Sequence, residues 1–160
     1  MKLFQILPSL FFGLAIAFGL TGCDIKRDSG LWQGTVVVRE DDGRPNYTCQ
    51  VELNLTHTDE TVTVHHLLTS CEAFASKWHG DTYEVHGTSL FYNGRDIGWV
   101  RDDGSATLEL RDYEMTQRFP TLADKVLLSW TRVGDSLEFT EEVTFAGRMK
   151  RSSGWLRKVR

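Results

Sequence analysis

Residues 47–55, Tyr47-Thr48-Cys49-Gln50-Val51-Glu52-Leu53-Asn54-Leu55, alternate between apolar and polar side chains without a break. Successive side chains of an extended strand point to opposite faces. This period of two therefore puts Tyr47, Cys49, Val51, Leu53 and Leu55 on one side and Thr48, Gln50, Glu52 and Asn54 on the other. A strand with one apolar face must lay it against another layer. The rest of the chain supplies that layer as more strands. The run 35–38 is β-branched, and residues 60–68 continue the alternation with Val62, Val64, His66 and Leu68 on one face. Residues 81–87, 89–100, 105–112, 125–133, 136–145 and 154–159 read the same way, with a hairpin at Asn93-Gly94 and turns at Gly134-Asp135 and the two Asp-Asp-Gly runs.

No stretch carries a convincing 3.6-residue period, though residues 71–78 could form one helical turn or more, and there is no internal repeat. Short strands joined by tight turns predict an all-β fold: an antiparallel meander closing into a β-barrel of about eight strands, or else a β-sandwich. The expected inward aromatics are Trp32, Tyr47, Phe91, Trp99, Trp130 and Phe139. His66, Tyr47, Trp99 and Trp130 are the candidates to line a ligand cavity. Their bulk leaves either a filled interior or room for one small ligand.

The amino-terminal segment has a different character. Lys2 leads, Leu10–Leu20 is an apolar run of 11 residues, and small residues follow. That run is too short to span a bilayer and has the layout of a secretory signal. Leu20-Thr21-Gly22-Cys23 resembles the lipobox of bacterial lipoproteins. The resemblance implies cleavage after Gly22, acylation of Cys23, and a protein held on a membrane of the bacterial cell envelope. Two or more acyl chains make such anchoring stable. Asp24 is similar to the enterobacterial signal for staying at the inner membrane. The expected organisation is a cleaved signal at 1–22, a lipidated tether at 23–29 and one domain at 30–160.

Losing Lys2 leaves 17 basic against 22 acidic residues, a net charge of −5. The imbalance is uneven, since residues 148–160 hold six basic residues and no acid. An acidic domain argues against nucleic acid as a partner. The basic end could meet anionic lipid heads or form the solvated face of a last strand, packed through Trp155 and Val159. Cys49 and Cys71 are the two cysteines left after Cys23. In an oxidising compartment they are expected to form a disulfide worth roughly 3 kcal/mol.

Gly30-Leu31-Trp32, just before the first strand, is similar to the Gly-x-Trp that opens lipocalins and their calycin relatives. That resemblance implies that the tryptophan closes one barrel end, with an arginine packed across it; Arg132 or Arg157 is placed to serve. Asp112-Tyr113 resembles the second lipocalin motif, with Arg111 where threonine belongs.

The chain shows no Gly-x-Ser-x-Gly, no His-Glu-x-x-His and no phosphate-cradling glycine loop. An enzyme is not expected, nor is a cofactor or metal ion. His65 and His66 are adjacent on a strand and should face opposite ways. Two functions from different classes remain. One is a binding module for a small apolar or amphipathic ligand. The other is a protein-interaction or inhibitor module with a solid core, acting through loops such as 72–80 or 113–124. Tyr47-Thr48-Cys49 is similar to the start of small β-barrel lipoproteins that inhibit lysozyme, whose later loop motifs the chain lacks.

The intact mass of membrane-extracted protein checks the amino-terminal reading. The expected value is that of residues 23–160 with a triacylated cysteine, minus two hydrogens for the disulfide. A mass starting elsewhere, without lipid, would mean a soluble secreted protein.

Overall fold

The computed structural model describes residues 26, 28–72, 75–111 and 123–159. Cys23, Asp24 and Asp112-Tyr113 lie outside them. Eleven strands follow one another: β1 Gly30–Glu40, β2 Tyr47–His57, β3 Thr61–Cys71, β4 Ala75–His79, β5 Thr82–His86, β6 Ser89–Tyr92, β7 Arg95–Val100, β8 Ala106–Arg111, β9 Ala123–Val133, β10 Ser136–Phe145 and β11 Arg148–Lys158. All belong to a single antiparallel sheet, with each strand beside the next in sequence except where β4 and β5 share β3. β1 pairs with both β2 and β11, so the meander closes into a ring of hydrogen-bonded strands. One continuous sheet replaces the alternative of two packed sheets.

The strand number exceeds the eight or so expected because one wall is cut into short pieces. β4 and β5 are two halves of a single pass alongside β3. They are interrupted at Gly80-Asp81, where Val64 N–H donates to the Asp81 carbonyl. Turns at Gly87-Thr88 and Asn93-Gly94 then set off β6 and β7.

Ring closure depends on two glycines. Gly34 on β1 lies opposite Leu156, and Gly154 on β11 lies opposite Val36. A Cβ on Gly34 would fall on the Trp155 carbonyl oxygen, and one on Gly154 would fall on that of Thr35. The two strands approach closely because neither position carries a side chain.

The interior divides into two ends. End A holds Gly30, His57, Val100 to Ser105, Val133 and Lys158. It is filled by Trp32, Leu55, Tyr83, Leu90, Trp130 and Leu137, all fully buried. End B holds Glu40, Tyr47, Cys71, Phe145 and Arg148. There the inward residues Tyr47, Cys71, Ala123, Val143 and Lys150 are only half-buried. The inner face is fully buried at A and only half-buried at the rim of B.

Asp28 and Ser29 are buried within the fold, so the chain joins the domain earlier than the tether boundary at residue 29 implied. Ser29 Oγ accepts from the His57 N–H at 2.7 Å and donates to the His57 carbonyl at 3.2 Å. Lys26 N–H donates to that same carbonyl at 2.8 Å.

Gly34→Val and Gly154→Val should each lower stability by about 3 kcal/mol, the upper range for overpacking a fitted interior, or prevent folding. Urea unfolding reads this directly. An unchanged midpoint would mean that β1 and β11 do not meet as described.

Candidate functional site

The period of two carries polar side chains onto the inner face at end B. On β10, Leu137 and Phe139 point inward and are fully buried, so Glu141 and Val143 follow them. On β11, Leu156 and Ser152 are buried and face inward, and Lys150 follows. Glu141 lies opposite Ser152 on one side and Leu128 on the other, while Lys150 lies opposite Val143 and Glu40. The result is a carboxylate, a hydroxyl and an ammonium on the inner wall. Around them stand Val38, Cys49, Leu110, Val126 and Val143.

Burial dominates the Glu141 carboxyl and pushes its pKa above the ordinary carboxylate range. The Lys150 charge and the polar Ser152 hydroxyl facing it oppose that shift. Glu141 nevertheless keeps some accessible surface. At the rim, a recess of about 700 Å³ lies between the 40–48 turn and the end of β3, lined by Tyr47, Arg44 and Cys71 among others. Tyr47 Oη donates to Glu40 Oε1 at 2.8 Å. Burial first, and then that bond, push the Tyr47 hydroxyl up to about 12.

The Cys49–Cys71 disulfide is present, its Cα atoms 4.3 Å apart across the β2–β3 ladder. Directly opposed residues at a non-hydrogen-bonded position come this close. The bridge stands at the rim of end B.

Of the four expected cavity residues, Tyr47 alone reaches the open end. His66 does not face the interior. A bulge in β3 between the Leu55–Val64 and Asn54–His66 pairs inserts His65 and turns the alternation over. Leu67, Thr69 and Cys71 then point inward in place of His66 and Leu68. Both histidines take partners across the outer face: His65 Nε2 with Thr56 Oγ1 at 2.8 Å, and His66 Nε2 with Glu52 Oε1 at 2.7 Å. Gln33 and then His66 hold the Glu52 carboxyl below its usual range.

Trp99 is likewise on the outside, 36% exposed, with Arg101 4.7 Å over its ring. A second bulge, between the Leu90–Gly98 and Phe91–Asp96 pairs, puts Ile97 inward and Trp99 outward. Phe91 stacks on His86 instead of entering the core. Trp130 is inside, but in the filled end, where its Nε1–H donates to the Gly104 carbonyl at 2.8 Å.

Trp32 of the Gly30-x-Trp32 motif is fully buried at end A and donates to the Asp28 carbonyl at 2.6 Å. The cation over its ring is Lys158, 5.7 Å from the centroid. Arg132 and Arg157, the expected partners, line the same end. Nearby, His57 Nδ1 lies 3.1 Å from Asp28 Oδ1, and both are buried. Such a dyad could serve a nucleophile, but Ser29 Oγ engages the His57 backbone and not the ring. The arrangement fastens the incoming chain to β2. Among the described residues, no group of three or more His, Cys, Asp or Glu is placed to hold a metal ion.

Sequence reading missed Glu141, Lys150 and Ser152. The signal was there: Leu137, Phe139, Glu141 and Val143 share one parity, which puts a carboxylate in an apolar row.

No family model matches the sequence, and no curated protein matches it. Among solved structures, the fold is similar to the crystal structure of Rv2717c from M. tuberculosis, with a TM-score of 0.47 and 14% sequence identity. The match covers 82% of this chain and 92% of that one.

A carboxyl whose pKa is raised by folding favours the folded state below its unfolded pKa, and that contribution is lost as pH rises through the folded value. Stability should therefore fall as pH climbs from the ordinary glutamate range through the raised pKa of Glu141. Glu141→Gln should flatten this slope. Urea midpoints measured across that range check it; equal slopes in the two proteins would remove Glu141 from the buried site.

Proposed function

We propose that this protein is a lipid-anchored module of the bacterial cell envelope that takes a small amphipathic ligand into the open end of its ring. The observation that carries this reading is the inward Glu141, with Ser152 and Lys150 beside it, at the half-buried end of an otherwise largely apolar inner face. The apolar part of a ligand would lie against Val38, Val126, Val143 and the Cys49–Cys71 bridge. Its polar group would meet Glu141, Ser152 and Lys150, which can donate and accept hydrogen bonds and carry both signs of charge. Few polar groups among apolar walls orient a ligand, and burial strengthens each contact. The resemblance of Leu20-Thr21-Gly22-Cys23 to a lipobox supports the envelope assignment.

Binding is favoured over catalysis because the hydroxyl–imidazole pair Thr56–His65 lies exposed on the outer face and not among the inward groups of end B. A second reading, an interaction module with a solid core, draws support from the filled end A. There the ring is packed by Trp32, Tyr83, Trp130 and Phe139.

Native mass spectrometry of gently extracted protein tests the choice. The expected result is a reproducible extra mass that is lost on denaturation. In Glu141→Leu, affinity for that species should fall about tenfold, as for one lost hydrogen bond to a charged group. No bound species, together with no uptake of an apolar fluorescent probe, would rule out the ligand reading and leave the interaction module.

A further inference from the structure

A second concave site lies at the opposite end from Glu141, beside the point where the chain enters the fold. It is a groove of about 750 Å³ lined by Trp32, Arg132, Asp135, Ser136, Arg157, Lys158 and Val159. Three cations face one acid there. Arg132 Nη1 is buried and makes no hydrogen bond. A guanidinium nitrogen withdrawn from water without an acceptor is costly, and an anion in the groove would supply one. Elsewhere the domain is acidic: residues 24–147 carry 11 basic and 22 acidic residues.

The position of the anchor gives this groove its context. Lys26 already donates its N–H to His57, and its ammonium pairs with Asp59. Cys23 lies three residues earlier, so an extended chain places it at most about 10 Å from Lys26. Gly30 in turn lies against the Lys158 side chain, where a Cβ would come within 2.8 Å of Cε. An acyl chain on Cys23 has to enter the bilayer core, and the headgroup layer on each side is only about 5–8 Å deep. End A would then lie within a few ångström of the headgroups, close enough for long cationic side chains to reach them.

We propose that the Arg132–Arg157–Lys158 groove binds the phosphate of an anionic phospholipid in the membrane that holds Cys23. This contact fixes end A down and the open end B away from the bilayer. The inference rests on the lipoprotein reading and adds a lipid site to it.

The test uses the full acylated protein reconstituted into vesicles of phosphatidylcholine alone, or of phosphatidylcholine with phosphatidylglycerol. Amide hydrogen exchange is the readout. The expected result is exchange about fivefold slower per engaged cation in residues 132–136 and 156–159, with anionic lipid only. The difference should shrink in Lys158→Gln and vanish in Arg132→Gln/Arg157→Gln/Lys158→Gln. Lys158→Gln alone keeps the test valid if the triple variant does not fold.

Equal exchange in both vesicles, for protein whose intact mass shows the acyl chains, would overturn the groove proposal and leave the anchor standing. An intact mass without acyl chains would overturn the anchor and this proposal with it. Equal protection by inorganic phosphate without anionic lipid would make the groove a site for soluble phosphate and overturn the membrane contact.

Discussion

The backbone ladder between β1 and β11 is the interaction on which the rest of the structure depends. The two strands lie at opposite ends of the described domain and pair from Trp32–Lys158 to Glu40–Lys150. Without that ladder the sheet would have two long edges, and edges with unpaired N–H and C=O groups invite association. With it, every inward side chain meets others across a closed interior. Gly34 and Gly154 allow the approach by contributing no side chains where the strands come closest. Side chains pack this seam from the inner face alone, where Val36, Val38 and Leu156 are fully buried, while Val37 and Trp155 outside are exposed.

Closure creates an inside, and side-chain size then decides what the inside is. At end A two tryptophans, a tyrosine and several leucines fill the cross-section. The indole N–H groups of Trp32 and Trp130 both find carbonyl acceptors, at Asp28 and Gly104. Buried donors of this kind are tolerated because they are satisfied. Gly104 also leaves the space into which the Asp28 side chain fits. At end B the inward positions pass to valine, serine, cysteine, glutamate and lysine, which cannot close the same cross-section. The two ends therefore have different chemistry although the same strands build both.

Much of the architecture was legible in the sequence because period-two alternation is a local property. The strands and their antiparallel order could be read from it, and the disulfide from the two cysteines left after Cys23. The errors came where alternation breaks. Extending the parity of Val62 and Val64 put His66 inward, yet Cys49 also faces inward, and its partner Cys71 has the opposite parity. A disulfide between β2 and β3 therefore required one extra residue between Val64 and Cys71, and His65 is that residue. The parity conflict was in the sequence, and reading the cysteines together with the valines would have exposed it. Trp99 was misplaced by the second bulge, which no cysteine marks. Trp155 was taken as the packing residue of the last strand, but Leu156 packs and Trp155 is 51% exposed. Glu141 escaped notice because a glutamate reads as outward by type, although its position reads as inward.

The bulge and the bridge together do something that neither does alone. From the 58–60 turn outward, β2 and β3 pair as Thr56–Thr63 and Leu55–Val64; beyond the bulge they pair as Asn54–His66 through Cys49–Cys71. Carried on without the bulge, the first register would set Cys49 opposite Ser70 and turn the Cys71 thiol to the far side of the sheet. The two sulfurs can meet only after the slip has been made correctly. Oxidation at this site is thus a chemical record of correct pairing. A misregistered hairpin would retain free thiols for an exchange catalyst to find, and a correctly paired one would be sealed.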